Sequence, residues 1–134
     1  MAGWLLPALG YVVFIGVAGI TTKLALRTIE WQQLVYWLPI AYVVLCVPLW
    51  FAYHKPFTLE AGGWASLTAL GMAAGLIGFF IALSKGDASA VVPTSSAYPV
   101  IALIGSAIFL SESITVPKLI GTALVIAGVV VISA

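Results

Sequence analysis

Charge is what this sequence has least of: five Lys+Arg and four Asp+Glu in 134 residues, 7% of the chain. A soluble domain carries about 25% charged residues, so these side chains cannot cover a water-facing surface of ordinary charge density. The signs nearly cancel, at a formal net charge of +1. With no basic cluster and no acidic tail, nucleic acid is not an expected partner. Cysteine is limited to Cys46, which excludes an internal disulfide. Lying in an apolar run, Cys46 reads as a small packed hydrophobe. His54 stands in a loop without a second ligand at metal spacing. There is no G-x-S-x-G, no P-loop and no Cys/His constellation. An ATP-driven pump and a membrane hydrolase therefore lack support, and no catalytic residue, metal or cofactor is expected.

What the sequence does have is apolar length. Hydrophobic residues make up 63% of the chain, and the mean hydropathy is +1.23. A bilayer is the natural solvent for that composition. Windows long enough to span it recur at about 5–26, 34–53, 63–84, 88–110 and 116–133, with every charge between them or near their ends. Runs such as LIGTALVIAGVVVI do not alternate in polarity, so barrel strands are excluded and helices remain. The first window lacks a positive leader and is long for a signal peptide. A retained helix is expected there, a cleaved signal being the alternative.

The boundaries carry suitable chemistry. Thr28 is placed to cap the second helix, with Glu30 near its N-terminal dipole. HKPFTLEAGG reads as an aqueous loop and Lys85-Gly86-Asp87 as a break. Thr115 is a candidate N-cap, and Pro117 sits in the first turn of the last helix. Trp31 and Trp37 at one end of the second helix, and Trp50 and Tyr53 at the other, suit interfacial belts. No linker or second domain interrupts residues 1–134. Five spans put Lys55 and Lys118 on the N-terminal side and Lys23, Arg27 and Lys85 opposite. That is almost no bias under the positive-inside rule.

Polar groups inside the membrane carry the functional information. The fourth window reads Pro93-Thr94-Ser95-Ser96-Ala97-Tyr98-Pro99, with Tyr98 close to the midplane. Pro99 cannot donate to the Ser95 carbonyl, nor Pro93 to that of Ser89. Thr94, Ser95 and Tyr98 share a helix face with Ala102 and Gly105. Two readings stay open: a ligand wall, or a kinked helix whose hydroxyls bond back locally and pack. On the first helix Trp4, Tyr11, Ile15 and Thr22 form an aromatic-and-hydroxyl stripe, either a second wall or ordinary packing. Lys23, near the hydrocarbon edge, is expected to snorkel, with an anionic ligand as the alternative. Gly71, Gly75 and Gly78, and likewise Gly121 with Gly128, read as close-packing faces. No carboxylate lies at the centre of any span. Glu112, at a helix end, is expected to pair with Lys118 or the turn backbone, gating or proton exchange being the other reading.

With these segments placed, Asp87-Ala88-Ser89-Ala90, Ser95-Ser96, Pro99, Glu112, Ile120-Gly121 and Ala127-Gly128-Val129 resemble one repeat of the EamA-type transporters of the drug/metabolite transporter superfamily. Gly16 followed by Lys23-Leu24-Ala25 agrees with the first helix of that family. The resemblance implies an all-α membrane protein of five transmembrane helices, one half of a ten-helix inverted-repeat transporter. It implies a second copy, and the balanced Lys/Arg count would permit an antiparallel homodimer. The smaller four-helix multidrug exporters carry a carboxylate in helix one, where positions around Tyr11 to Thr22 are neutral here. Neutral or zwitterionic metabolites are thus favoured as substrates, although aromatic faces also attract organic cations.

The expected function is a secondary transporter or exporter working by alternating access as a homo-oligomer, multi-pass in a bacterial or archaeal inner membrane. Substrate and membrane lipid are the expected partners, with Tyr11, Thr22, Thr94, Ser95 and Tyr98 as substrate-binding residues. The rival is a membrane assembly subunit that binds a partner's helices.

Overall fold

A backbone in hydrocarbon has no water to serve its polar groups, and a helix satisfies them within its own segment. The computed structural model describes residues 3–53 and 58–133. Its regular structure there is α1 (Leu5–Ala25), α2 (Trp31–Tyr53), α3 (Leu59–Lys85), α4 (Ala88–Ser95), α5 (Pro99–Phe109) and α6 (Val116–Ser133). The chain is all-α, with five apolar spans, α4 and α5 together making the fourth. Four spans are long and apolar enough to cross a bilayer, and α6 is a shorter apolar helix. At 1.5 Å per residue the 18 residues of α6 reach about 27 Å, against a hydrocarbon core of about 30 Å. His54 and Lys55 lie outside the described residues.

Several helix ends differ from expectation, each for a local reason. Thr28 does not cap α2: its hydroxyl donates back to the carbonyl of Ala25 at 2.9 Å and closes α1 instead. The α2 start is set by Gln33, whose Oε1 accepts the Glu30 N–H at 2.8 Å. That is the returning half of a capping box, with Glu30 at the N-cap position. α3 begins at Leu59, ahead of the apolar run at Gly63. Thr58 Oγ1 accepts the Ala61 N–H at 3.3 Å and holds that extra turn. At α6, Thr115 does occupy the N-cap position, its carbonyl accepting the Leu119 N–H at 3.1 Å. α5 ends on Ser111, a non-glycine residue in the left-handed region at φ 53°. The following N–H, of Glu112, returns to the Ser106 carbonyl at 3.2 Å, which also accepts the Leu110 N–H at 3.1 Å, so two donors on either side of the reversal share one acceptor.

Residues group into two contact units, Met1–Gly19 with Gly86–Ala134, and Ile20–Lys85. Within the first, α6 packs against both α4 and α5. Within the second, α2 packs against α3, and Lys23 Nζ donates to the Leu83 carbonyl at 2.8 Å. The last carbonyls of a helix lack donors and carry its negative end, so an ammonium suits them. One Lys23 donor thus ends on a helix terminus rather than on lipid or an anionic ligand. Among the described residues, Phe80 and Leu83 are the buried apolar side chains, while Leu6, Phe51 and Val131 stand three-quarters or more exposed. A surface of this kind in water would aggregate; in lipid it is the ordinary exterior. Cys46 belongs to that exterior and is exposed on α2, not packed in a core.

Candidate functional site

The site is built on the break in the fourth span. Pro99 has no N–H to give, so the helical ladder cannot continue through the Ser95 carbonyl. The backbone tightens instead. Ser96 N–H donates to Pro93 at 3.0 Å, Ala97 to Thr94 at 3.2 Å and Val100 to Ala97 at 3.1 Å. Spacing by four resumes with Ala102 N–H on the Tyr98 carbonyl at 3.0 Å. Ser96 Oγ donates to the Val92 carbonyl at 3.0 Å, taking the acceptor that its own N–H has given up. The irregular stretch 96–98 therefore lies in the middle of the Ala88–Phe109 span.

Tyr98, at the downstream edge of the break, is half-exposed and touches two things. Its phenol lies near the phenol of Tyr11, which brings the N-terminal half of α1 to the break. It also lines a groove of about 460 Å³ between α5 and α6. From the α5 side come Tyr98, Ala102 and Ser106, and from α6 Gly121, Thr122 and Val125. Glu112 and Lys118 stand at the end of the groove beside the α5–α6 loop. Lys118 Nζ donates to the Ser113 carbonyl at 3.0 Å, so it serves the turn backbone. Ser106 Oγ is directed to the Leu103 carbonyl at 3.1 Å, as back-bonding inside a helix would have it.

Of the sequence candidates, the structure brings Tyr11 and Tyr98 together. Thr94 and Ser95 lie exposed on the last turn of α4, next to the break but outside the groove lining. Thr22 is half-buried on the part of α1 that belongs to the other contact unit. Sequence reasoning missed the α6 wall. Its signal was present, because Lys118, Gly121, Thr122 and Val125 follow a spacing of three and four that places them on one face.

The model of the EamA-like transporter family matches residues 2–134, essentially the whole chain. The chain belongs to the EamA-like transporter family. It is 32% identical over 119 residues to the uncharacterized protein MJ1333.1 of Methanocaldococcus jannaschii. That stretch covers 86% of this chain and 87% of the archaeal protein, a length that fits a single EamA-type repeat. No solved structure matches it. As an EamA-family protein it is an integral membrane protein of the drug/metabolite transporter type, and members of that family are transporters rather than enzymes.

Proposed function

We propose that this EamA-family chain is a secondary transporter of small neutral or zwitterionic metabolites, moving them by alternating access in a homo-oligomer. The observation that carries this reading is the mid-span break at 96–98 with Tyr98 beside Tyr11. Irregular backbone at membrane depth persists where it lines a cavity or is buried in protein, and broken helices form the midplane sites of transporters. Tyr98 and Tyr11 act by hydrogen bonding and stacking. Thr94 and Ser95, on the turn before the break, supply hydroxyls to the same substrate, and none of these residues does covalent chemistry. A second, inverted copy supplies the other half of the cavity, which an almost unbiased Lys/Arg distribution permits. The setting is a bacterial or archaeal inner membrane.

The test is flux in vesicles reconstituted with the purified chain, using metabolites first selected by ligand-dependent thermal shift. Tyr98→Phe and Ser95→Ala should each lower flux while insertion is unchanged; flux equal to wild type in both removes this face as the site. Absence of flux with any metabolite, together with stoichiometric co-purification of a larger membrane protein, would replace transport by the assembly role. A topology reporter fused to the C-terminus should record both orientations. A single orientation rules out the antiparallel pair and leaves a parallel or mixed one.

A further inference from the structure

The α5–α6 groove is graded along its length. Its loop end holds one acid and one base, Glu112 and Lys118, and the walls beyond are largely apolar, with Leu103, Pro99 and Val125. From Ser106 to Tyr98 the α5 side rises about 12 Å at 1.5 Å per residue. One leaflet of the hydrocarbon core is about 15 Å deep, half of about 30 Å. Tyr98 is at the middle of the Ala88–Phe109 span, so the groove runs from the headgroup level to the bilayer centre and stops there. Its length matches one leaflet, and so one acyl chain.

We propose that the groove holds a single phospholipid whose headgroup carries a phosphate and a primary ammonium, with an acyl chain lying between α5 and α6. Lys118 uses one of its three N–H donors on Ser113 and has two to offer the phosphate. It sits in the first turn of α6, whose N-terminal dipole adds positive potential at the same point. The Glu112 carboxylate accepts N–H bonds from the ammonium, which a quaternary ammonium cannot donate. At Gly121 a Cβ would meet nothing within 4 Å, so the groove floor is bare backbone that leaves room for a chain. An apolar helix from a second copy would cover the walls equally well but would offer nothing to Glu112 or to the two remaining Lys118 donors at its edge. The headgroup pairs both.

The purified full chain, in detergent, is titrated with phosphatidylethanolamine, phosphatidylcholine or phosphatidylglycerol, and bound lipid is counted by native mass spectrometry. Wild type should retain the ethanolamine lipid about tenfold or more over each of the others, as one charge-assisted hydrogen bond to its ammonium would give. Glu112→Gln should bring that ratio close to one. Gly121→Leu, which fills the floor, should abolish retention of all three, with circular dichroism confirming that the helices remain. Equal retention of the three lipids by wild type overturns the proposal, as does a preference that survives Glu112→Gln. Cross-linking of Gly121→Cys to a second copy in the membrane overturns it in favour of a protein occupant. Since no transport is measured, the result stands apart from the proposed function.

Discussion

Two spans of this chain contain a pair of prolines each, and they respond differently. α2 carries Pro39 and Pro48 inside one continuous helix from Trp31 to Tyr53. The fourth span carries Pro93 and Pro99 and is divided into α4 and α5. Each proline deprives the carbonyl four residues back of its donor. In α2 those carbonyls belong to Val35 and Val44, and the neighbours Leu38, Ile40, Val47 and Leu49 offer no hydroxyl. In the fourth span they belong to Ser89 and Ser95, followed by Ser96. The Ser96 hydroxyl takes the Val92 carbonyl, which frees the Ser96 N–H to shift to Pro93. Proline weakens the ladder in both places, and a hydroxyl at the right position lets the backbone leave it in one.

This contrast can be broken by substitution. The largest effect is expected for Pro99→Ala, which restores a donor to Ser95 and heals the break. Flux in vesicles should fall about tenfold or more, equivalent to about 1.4 kcal/mol of barrier, while Pro39→Ala stays within about twofold because α2 is already continuous. Equal losses in the two would sink the comparison. Tyr98→Phe should lower flux about fivefold, the worth of one hydrogen bond of about 1 kcal/mol. Tyr11→Phe, acting through Tyr98, should lower it less.

Ser96→Ala leaves the Val92 carbonyl without its hydroxyl partner, at a cost of about 1 kcal/mol, and should lower the midpoint of thermal unfolding in detergent. Ser66→Ala is its control: Ser66 Oγ donates to Gly62 within an unbroken helix, at 2.8 Å, and its loss should leave the midpoint almost unmoved. The smallest effect belongs to Gln33→Ala, which removes the bond to the Glu30 N–H. Amide exchange should quicken over the first turn of α2, with flux unchanged.

The fold was largely legible because a bilayer filters sequences so strongly: long apolar windows bounded by Lys23, Arg27, Lys85 and Asp87 permit few other structures. Helix ends were less so. Thr28 and Thr58 are the same residue type at comparable positions, yet one closes the helix before it and the other opens the helix after it. That choice depends on which backbone group is within reach, which spacing alone does not state. At the site, the two prolines and the hydroxyl cluster announced the break, and Tyr98 was identifiable from its depth. The meeting of Tyr98 with Tyr11 was not, since it joins positions 87 apart in sequence through packing. The α6 wall is less legible, because a glycine such as Gly121 suits a close helix contact and a groove floor alike.

The bond from Lys23 to the Leu83 carbonyl joins residues 60 apart. α1 and α3 both run toward the same membrane face, and they do so because α2 crosses between them. Without that crossing, α3 would run the other way and Leu83 would emerge on the face opposite Lys23, a whole bilayer away. The bond can therefore close only after α2 has inserted. Its formation is a parity check on the second crossing, performed by one ammonium and one carbonyl as the chain assembles.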